Sequence, residues 1–330
     1  MRLFALQESK DHGRRIAASM GQDLSELEHR DFEDGEYKIR PLSEVRGDHV
    51  CIIQSLYDGP DLSVHDKLCR LLFLVATMRD HGAARVTAVV PYLCYGRKDR
   101  RTKPQDPITT RYIAQLFEAV SCDDLITLEA HNLAAFHNAF RLRTHHLNLG
   151  DVFQEIIATR FMGTPLAVMS PDPGGVKRAQ LFREALQDRL GQHVGFGFME
   201  KRRSSGIMTS GDIVGDFKDK SVLIVDDMIV SGGTMAAAAN ACKARGAVNT
   251  FALAAHGLFM PGAATLFDAG PFETIFVSDS IPPFRLPDAK KTRGLEVVNT
   301  ANEFARALRA IPGYGPSPTG PHSSLSAIWK

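Results

Sequence analysis

Short β-branched runs alternate along this chain with stretches whose apolar residues recur every three or four positions. Residues 50–54 (VCIIQ), 86–90 (VTAVV), 124–128 (DLITL), 165–169 (PLAVM) and 221–225 (SVLIV) each read as a buried strand. Behind the first, Val64, Leu68, Leu71, Leu72 and Val75 keep one face of a helix. Behind the second comes a loop, residues 95–105, with five basic side chains. Asp106 and Pro107 then fit an N-cap followed by proline at the first helical position, which predicts a helix from there through Ile113, Leu116 and Phe117. Strands alternating with helices predict parallel α/β sheets, whose ligands sit beyond the carboxyl ends of the strands. The polar loops fall at those ends. Loops 91–101 and 171–178 occupy corresponding places, so a division near residues 145–150 gives two units of similar size. Residues 312–316 (PGYGP) are linker-like and lead into a short tail.

Composition narrows the picture. The 330 residues suffice for about two domains of ~150 residues. With 44% hydrophobic and 23% charged residues the chain has an ordinary globular make-up. A net charge of +1 gives no reason to expect nucleic acid or an anionic membrane as partner. The five cysteines are scattered with no C-x-x-C, which argues against a disulfide framework or a structural zinc site and for a reducing cytoplasm. Near the start, Glu8, Lys10 and Asp11 interrupt the apolar residues, and the strongest apolar run, 71–76, is far too short for a membrane span. A cytoplasmic, non-membrane protein is expected.

The sharpest motif is residues 225–234 (VDDMIVSGGT). A hydrophobic strand delivers Asp226 and Asp227, a turn of small residues follows, and an alanine-rich helix begins near Met235. Gly232 and Gly233 let backbone N–H groups face an anion closely, and the helix N-terminus adds a favourable dipole. Ser231 and Thr234 add hydroxyl donors. Two adjacent carboxylates suit ribose hydroxyls, or a metal bridging to pyrophosphate.

This segment resembles the phosphoribosyl-pyrophosphate (PRPP) loop of phosphoribosyltransferases and PRPP synthetases, with Val230 where many members carry an acid. Further motifs are similar to those of the ribose-phosphate diphosphokinases, or PRPP synthetases. They are 32–36 (FEDGE), 45–47 (VRG), 52–55 (IIQS), 91–100 (PYLCYGRKDR), 170–175 (SPDPGG) with Arg178 and Ala179, 200–203 (EKRR) and the tail 324–329 (SLSAIW). Lys98 replaces the glutamine of that family's P-Y-x-x-Y-x-R-Q-D. Glu129 replaces the aspartate of its D-L-H. Residues 136–141 (FHNAFR) lack its further acids.

The resemblance implies an α/β protein of two similar phosphoribosyltransferase-like domains, each a mainly parallel sheet flanked by helices. Residues 1–147 would carry the ATP loop and oligomer contacts, 148–310 the ribose 5-phosphate and catalytic loops, and 311–330 the tail. The implied reaction moves the β,γ-diphosphoryl group of ATP to the 1-hydroxyl of ribose 5-phosphate, with Mg²⁺ as cofactor. Lys201 and Arg203 would be catalytic, with 204–211 as a lid. Phe32, Asp34, Glu36, Arg97, Asp99 and His131 would bind ATP. Asp226, Asp227, Val230, Ser231, Gly232, Gly233 and Thr234 would bind ribose 5-phosphate, and His131 and Asp172 the metal. In relatives the 32–36 segment reaches a neighbouring subunit's ATP site, which implies a homo-oligomer, from dimer to hexamer. His256 matches a family segment and is read as structural. Two alternatives stay open: a phosphoribosyltransferase that uses PRPP, and a non-catalytic regulatory homologue, for which Glu129, Val230 and the missing acids speak.

Overall fold

The computed structural model describes residues 1–200, 202–204, 207–209, 213–268, 270–288 and 293–311. In chain order the first half contains β1 (Arg2–Ala5), α1 (Lys10–Ser19), β2 (Leu27–Asp31), β3 (Tyr37–Pro41), β4 (His49–Ile53), α2 (Val64–Asp80), β5 (Arg85–Val90), α3 (Thr109–Ala119), β6 (Asp124–Leu128), α4 (Leu133–Ala139) and β7 (Arg143–Leu147). The second contains α5 (Leu149–Phe161), β8 (Leu166–Ser170), α6 (Val176–Leu190), β9 (Val194–Met199), β10 (Arg202–Ser204), β11 (Ile207–Thr209), β12 (Ile213–Val214) and β13 (Ser221–Ile229). After these come α7 (Gly233–Ala244), β14 (Asn249–Gly257), α8 (Thr265–Asp268), β15 (Thr274–Ser278), β16 (Leu295–Val298) and α9 (Ala301–Ala310).

Two sheets result. The first, in the order β1-β4-β5-β6-β7, is parallel throughout. The second runs β12-β9-β8-β13-β14-β15-β16 and is parallel except where β12 meets β9. Buried on both faces, their inner strands β4, β5, β6, β8 and the first half of β13 read as largely apolar runs, which is why the sequence announces them. Local signals set the helix starts. Ser63 and Asp66 close a capping box on α2, each side chain accepting the other's backbone N–H, and Asn148 and Asp151 do the same for α5 directly behind β7.

One core joins the halves. Leu3, Ile53, Ile126 and Leu128 of the first sheet share it with Val168, Val225, Leu253 and Phe276 of the second, and Ile16, Phe153, Phe182 and Phe304 fill the space between. In this layer α5 packs on α6, and α1 packs on α9, so the two ends of the described chain meet. Burying each of these large side chains contributes about 1.5–3 kcal/mol. That layer fixes the carboxyl ends of the two sheets relative to one another.

The predicted opening of α3 at Asp106 is corrected. The helix starts at Thr109, and its N-cap position, Ile108, offers no side-chain acceptor. Asp106 instead turns back into the basic loop. Its Oδ2 accepts from the Lys98 ammonium, from the Thr102 N–H at 2.9 Å and hydroxyl at 2.8 Å, and from the Lys103 N–H at 2.9 Å. Five neighbouring cations make a central carboxylate more valuable than a cap. Lys98 above all, then the Thr102 donors and the Lys103 N–H, holds this carboxyl well below the usual range. The strand expected at 221–225 also runs on to Ile229, because Asp226, Met228 and Ile229 continue the ladder with β14.

Candidate active site

β6 and β13 bring the chemistry together at their carboxyl ends. Directly behind β6, His131 donates from Nδ1 to Asp227 Oδ2 at 2.7 Å. Arg178, on the first turn of α6, binds both halves. Its Nε donates to Glu129 Oε1 at 2.9 Å and its Nη2 to the His131 carbonyl at 2.9 Å. Its Nη1 donates to Asp226 Oδ1 at 3.4 Å and lies 3.7 Å from Asp227 Oδ1. Asp226 also accepts the backbone N–H of Asp227 at 2.8 Å.

These neighbours divide the two acids. Burial and the adjoining Asp227 charge push Asp226 up to about 8. Burial works to raise Asp227 too, but the His131 hydrogen bond and the Arg178 charge outweigh it and hold it well below the usual carboxylate range. The same hydrogen bond raises His131 and favours its imidazolium form. Burial pushes Glu129 up, and the Arg178 guanidinium and Leu149 N–H pull it back. Positive charge is therefore in short supply at Asp226, a condition that suits a cation or sugar hydroxyls.

Beyond β13 the chain turns into α7. Ser231, Gly233 and Thr234 are exposed, and no side chain caps the helix, so its first N–H groups face outward. Gly232 holds the turn at φ +79°, and a Cβ there would collide with the Leu266 side chain, whereas Gly233 faces open space. Gly232→Ala is expected to cost about 1–3 kcal/mol from overpacking and a further ~1–2 kcal/mol from the left-handed backbone. Gly233→Ala meets no such clash. Urea melts of the two variants check this, and equal stability would remove the argument for Gly232.

The basic loop after β5 borders the same cleft. Arg97, Gly96 and Tyr92 line it together with His131, Asn132 and Met228. Asp99 accepts a hydrogen bond from the Asn132 amide, and Asn132 caps α4 by accepting the Ala135 N–H at 3.2 Å, so hydrogen bonds tie this loop to the His131 turn. Arg97 is exposed and makes no ion pair with a described residue.

Two histidines support the turn from below. His146 Nε2 accepts the Ala130 N–H at 3.0 Å. His256 Nε2 donates to the Leu128 carbonyl at 3.1 Å, and its Nδ1 accepts from the Ser280 hydroxyl at 2.9 Å. Burial pushes each down to about 4 from an ordinary 6.5. Their stabilisation is complete above pH 6.5 and is lost as pH falls toward 4, because the unfolded chain binds protons that the folded one refuses. Each contributes a slope of up to about 1.4 kcal/mol per pH unit. Urea melts at pH 7, 6 and 5 should show this decline, and a flat profile would contradict it.

Asp172 caps the short turn before α6, accepting the Gly175 N–H at 3.1 Å. Phe32, Asp34 and Glu36 form the exposed tip of the β2–β3 hairpin, where the hydrogen bonds stay inside the ribbon and the Arg30 guanidinium lies 4.9 Å from the Phe32 ring. Lys201 lies outside the described residues. The Arg203 backbone belongs to β10, which pairs with β11 within the expected lid, and the tail motif at 324–329 is also outside the described residues. The sequence names Arg178 without giving it a role, yet Arg178 is the hub of the site. Its signal was the conjunction of an acid at 129 with two at 226–227, which no local spacing reveals.

Among the described residues no group of three or more His, Cys, Asp or Glu side chains forms a ready metal cage. Mg²⁺ binds through one or two carboxylates plus substrate phosphates. The oxygen donors of Asp172 and Asp226 suit it. His131 is the weaker partner, since its pairing with Asp227 favours the proton a metal would displace. No described helix is long and apolar enough to cross a membrane.

Comparison with known proteins places the chain. Residues 1–120 match the N-terminal domain of ribose phosphate pyrophosphokinase, 142–257 the phosphoribosyl transferase domain and 208–312 the phosphoribosyl synthetase-associated domain. A ribose-phosphate pyrophosphokinase from Caldanaerobacter subterraneus subsp. tengcongensis is 31% identical, with 94% of each chain covered. Another from Aquifex aeolicus is 32% identical over 94% of this chain and 96% of that one. The crystal structure of phosphoribosylpyrophosphate synthetase from Mycobacterium smegmatis superposes with a TM-score of 0.83 at 27% identity, covering 94% of this chain and 98% of that chain. The two mainly parallel sheets flanked by helices are thus phosphoribosyltransferase-like, as the motifs implied. Sequence over nearly the full length and backbone agree that this chain belongs to the ribose-phosphate pyrophosphokinase family.

Proposed function

We propose that this protein transfers the β,γ-diphosphoryl group of ATP to the 1-hydroxyl of ribose 5-phosphate, giving PRPP and AMP. The observation that carries the reading is the direct bond between His131, behind the nucleotide-loop sheet, and Asp227, at the ribose-type loop. A nucleotide and a sugar phosphate held at these two loops would meet end to end. Asp226 and Asp227 grip the ribose hydroxyls, and the open N–H groups of Gly233 and Thr234 hold the 5-phosphate. Arg97 forks onto ATP phosphates, with Asp99 fixing its loop. Oxygen O1 of the sugar then attacks the β-phosphorus, the bond to the α-phosphate bridging oxygen breaks with AMP as leaving group, and the hydroxyl proton passes to water. The Asp227 hydrogen bond favours the imidazolium form of His131, which suits it to a cation's role rather than a base's. Lys201 and Arg203 neutralise charge on the moving phosphoryl oxygens. Bound Mg²⁺, with Asp172 as its candidate ligand, would supply further charge neutralisation on the phosphates; His131, the other ligand the motifs implied, offers no lone pair as an imidazolium.

In this reading residues 1–147 and 148–310 are the two functional units and the hairpin tip, Phe32, Asp34 and Glu36, reaches the ATP site of a second copy in a cytoplasmic homo-oligomer. The test is incubation of purified protein with Mg²⁺, ATP and ribose 5-phosphate, following AMP and PRPP. No AMP beyond an ATPase background would sink the reading and favour a non-catalytic homologue.

A further inference from the structure

Glu129 has no part in the reaction just described, yet it holds a demanding position. Its φ is +38°, in the left-handed region that side-chain-bearing residues avoid. Such strain persists only where the surroundings over-determine it. Here the Glu129 N–H donates to the Leu147 carbonyl at 2.8 Å, and its own carbonyl lies 3.4 Å from His256 Nε2. The carboxylate is buried and uses both oxygens. Oε2 accepts the Leu149 N–H at the start of α5, and Oε1 accepts Arg178 Nε–H, each at 2.9 Å.

We propose that Glu129 is a positioning residue for the ribose phosphate site, acting through Arg178. The guanidinium meets Glu129 on its Nε edge and the Asp226–Asp227 pair at Nη1. Left with those two acids alone, Arg178 would draw them onto itself and away from sugar hydroxyls. Paired already with Glu129, it can release them when a ligand arrives and still keep a counter-charge in its buried place. Glu129 thereby sets how much of the Asp226–Asp227 charge remains for the sugar. The inference rests on the ribose 5-phosphate reading and deepens it.

The experiment compares wild type, Glu129→Gln, Arg178→Gln and the double variant by calorimetric titration with ribose 5-phosphate and by initial rates. Glu129→Gln should raise Kd and KM for ribose 5-phosphate at least about tenfold, while KM for ATP stays within about twofold. In the Arg178→Gln background the same change should alter Kd by less than about twofold. An equal effect in both backgrounds, or a matching rise in KM for ATP, overturns the proposal. If circular dichroism shows Glu129→Gln to be misfolded, Glu129→Asp replaces it. One methylene shorter, it cannot span Leu149 and Arg178 together, so wild-type affinity there would also overturn the proposal. Wild-type protein that binds ribose 5-phosphate without forming PRPP refutes the reaction and leaves calorimetry to decide on Glu129. Wild-type protein that binds none of it refutes both.

Discussion

Asp226→Asn is expected to lower kcat/KM for ribose 5-phosphate by about 10²–10⁴ while leaving the fold intact. A hydrogen bond to a charged group contributes about 1.5–3 kcal/mol, and one carboxylate can accept from two hydroxyls. The empty site loses little. Burial and the adjoining Asp227 charge already disfavour the Asp226 carboxylate, so an uncharged amide removes a charge that the empty site resists. An amide oxygen can still accept the Asp227 N–H, now 2.8 Å away. Thermal melts run beside the kinetics should show a melting temperature equal to or above that of wild type. Turnover within about threefold of wild type would refute the ribose assignment.

The second large effect is expected at Lys201. Of the cations in the cleft, Arg178 is committed to Glu129, Asp226 and Asp227, and His131 to Asp227. Arg97 stands on the basic loop after β5 and is assigned to ATP in the proposed reaction. Charge arriving on the diphosphoryl oxygens therefore needs a cation from elsewhere, and the 200–203 segment (EKRR) follows β9 in the sequence. Removing one charge-stabilising group from such a site commonly costs ~10²–10³ in kcat. Lys201→Ala should lose that much with KM values little changed and an unaltered circular dichroism spectrum. Near-normal turnover would rule out Lys201.

What the sequence disclosed follows from the range over which each interaction acts. The predicted strand at 124–128 coincides with β6, and 86–90 misses β5 by a single residue, because doubly buried strands leave an apolar run in the sequence. The ribose-type loop was legible for a related reason: its carboxylates, glycines and hydroxyls are consecutive. Asp106 misled because its capping pattern is local, whereas the partners that claim it stand three to eight residues back in a basic loop. The apolar run ends at Val225, but pairing with β14 through Asp226, Met228 and Ile229 carries the strand four residues further. Arg178 with Glu129, 49 positions apart, obeys no periodicity, and only the packed layer between the sheets brings the two together.

The meeting of α1 with α9 bears on biosynthesis. Ile16 and His12 of α1 rest on Phe304, the two rings 5.6 Å apart, and the Arg309 guanidinium reaches the Ser19 carbonyl. A growing polypeptide emerging from the ribosome would expose the greasy side of α1 until some three hundred codons have been read. Premature termination shortly before Ala301 should thus yield a sticky product, a target for chaperones and proteases, even though every residue of the cleft is already in hand.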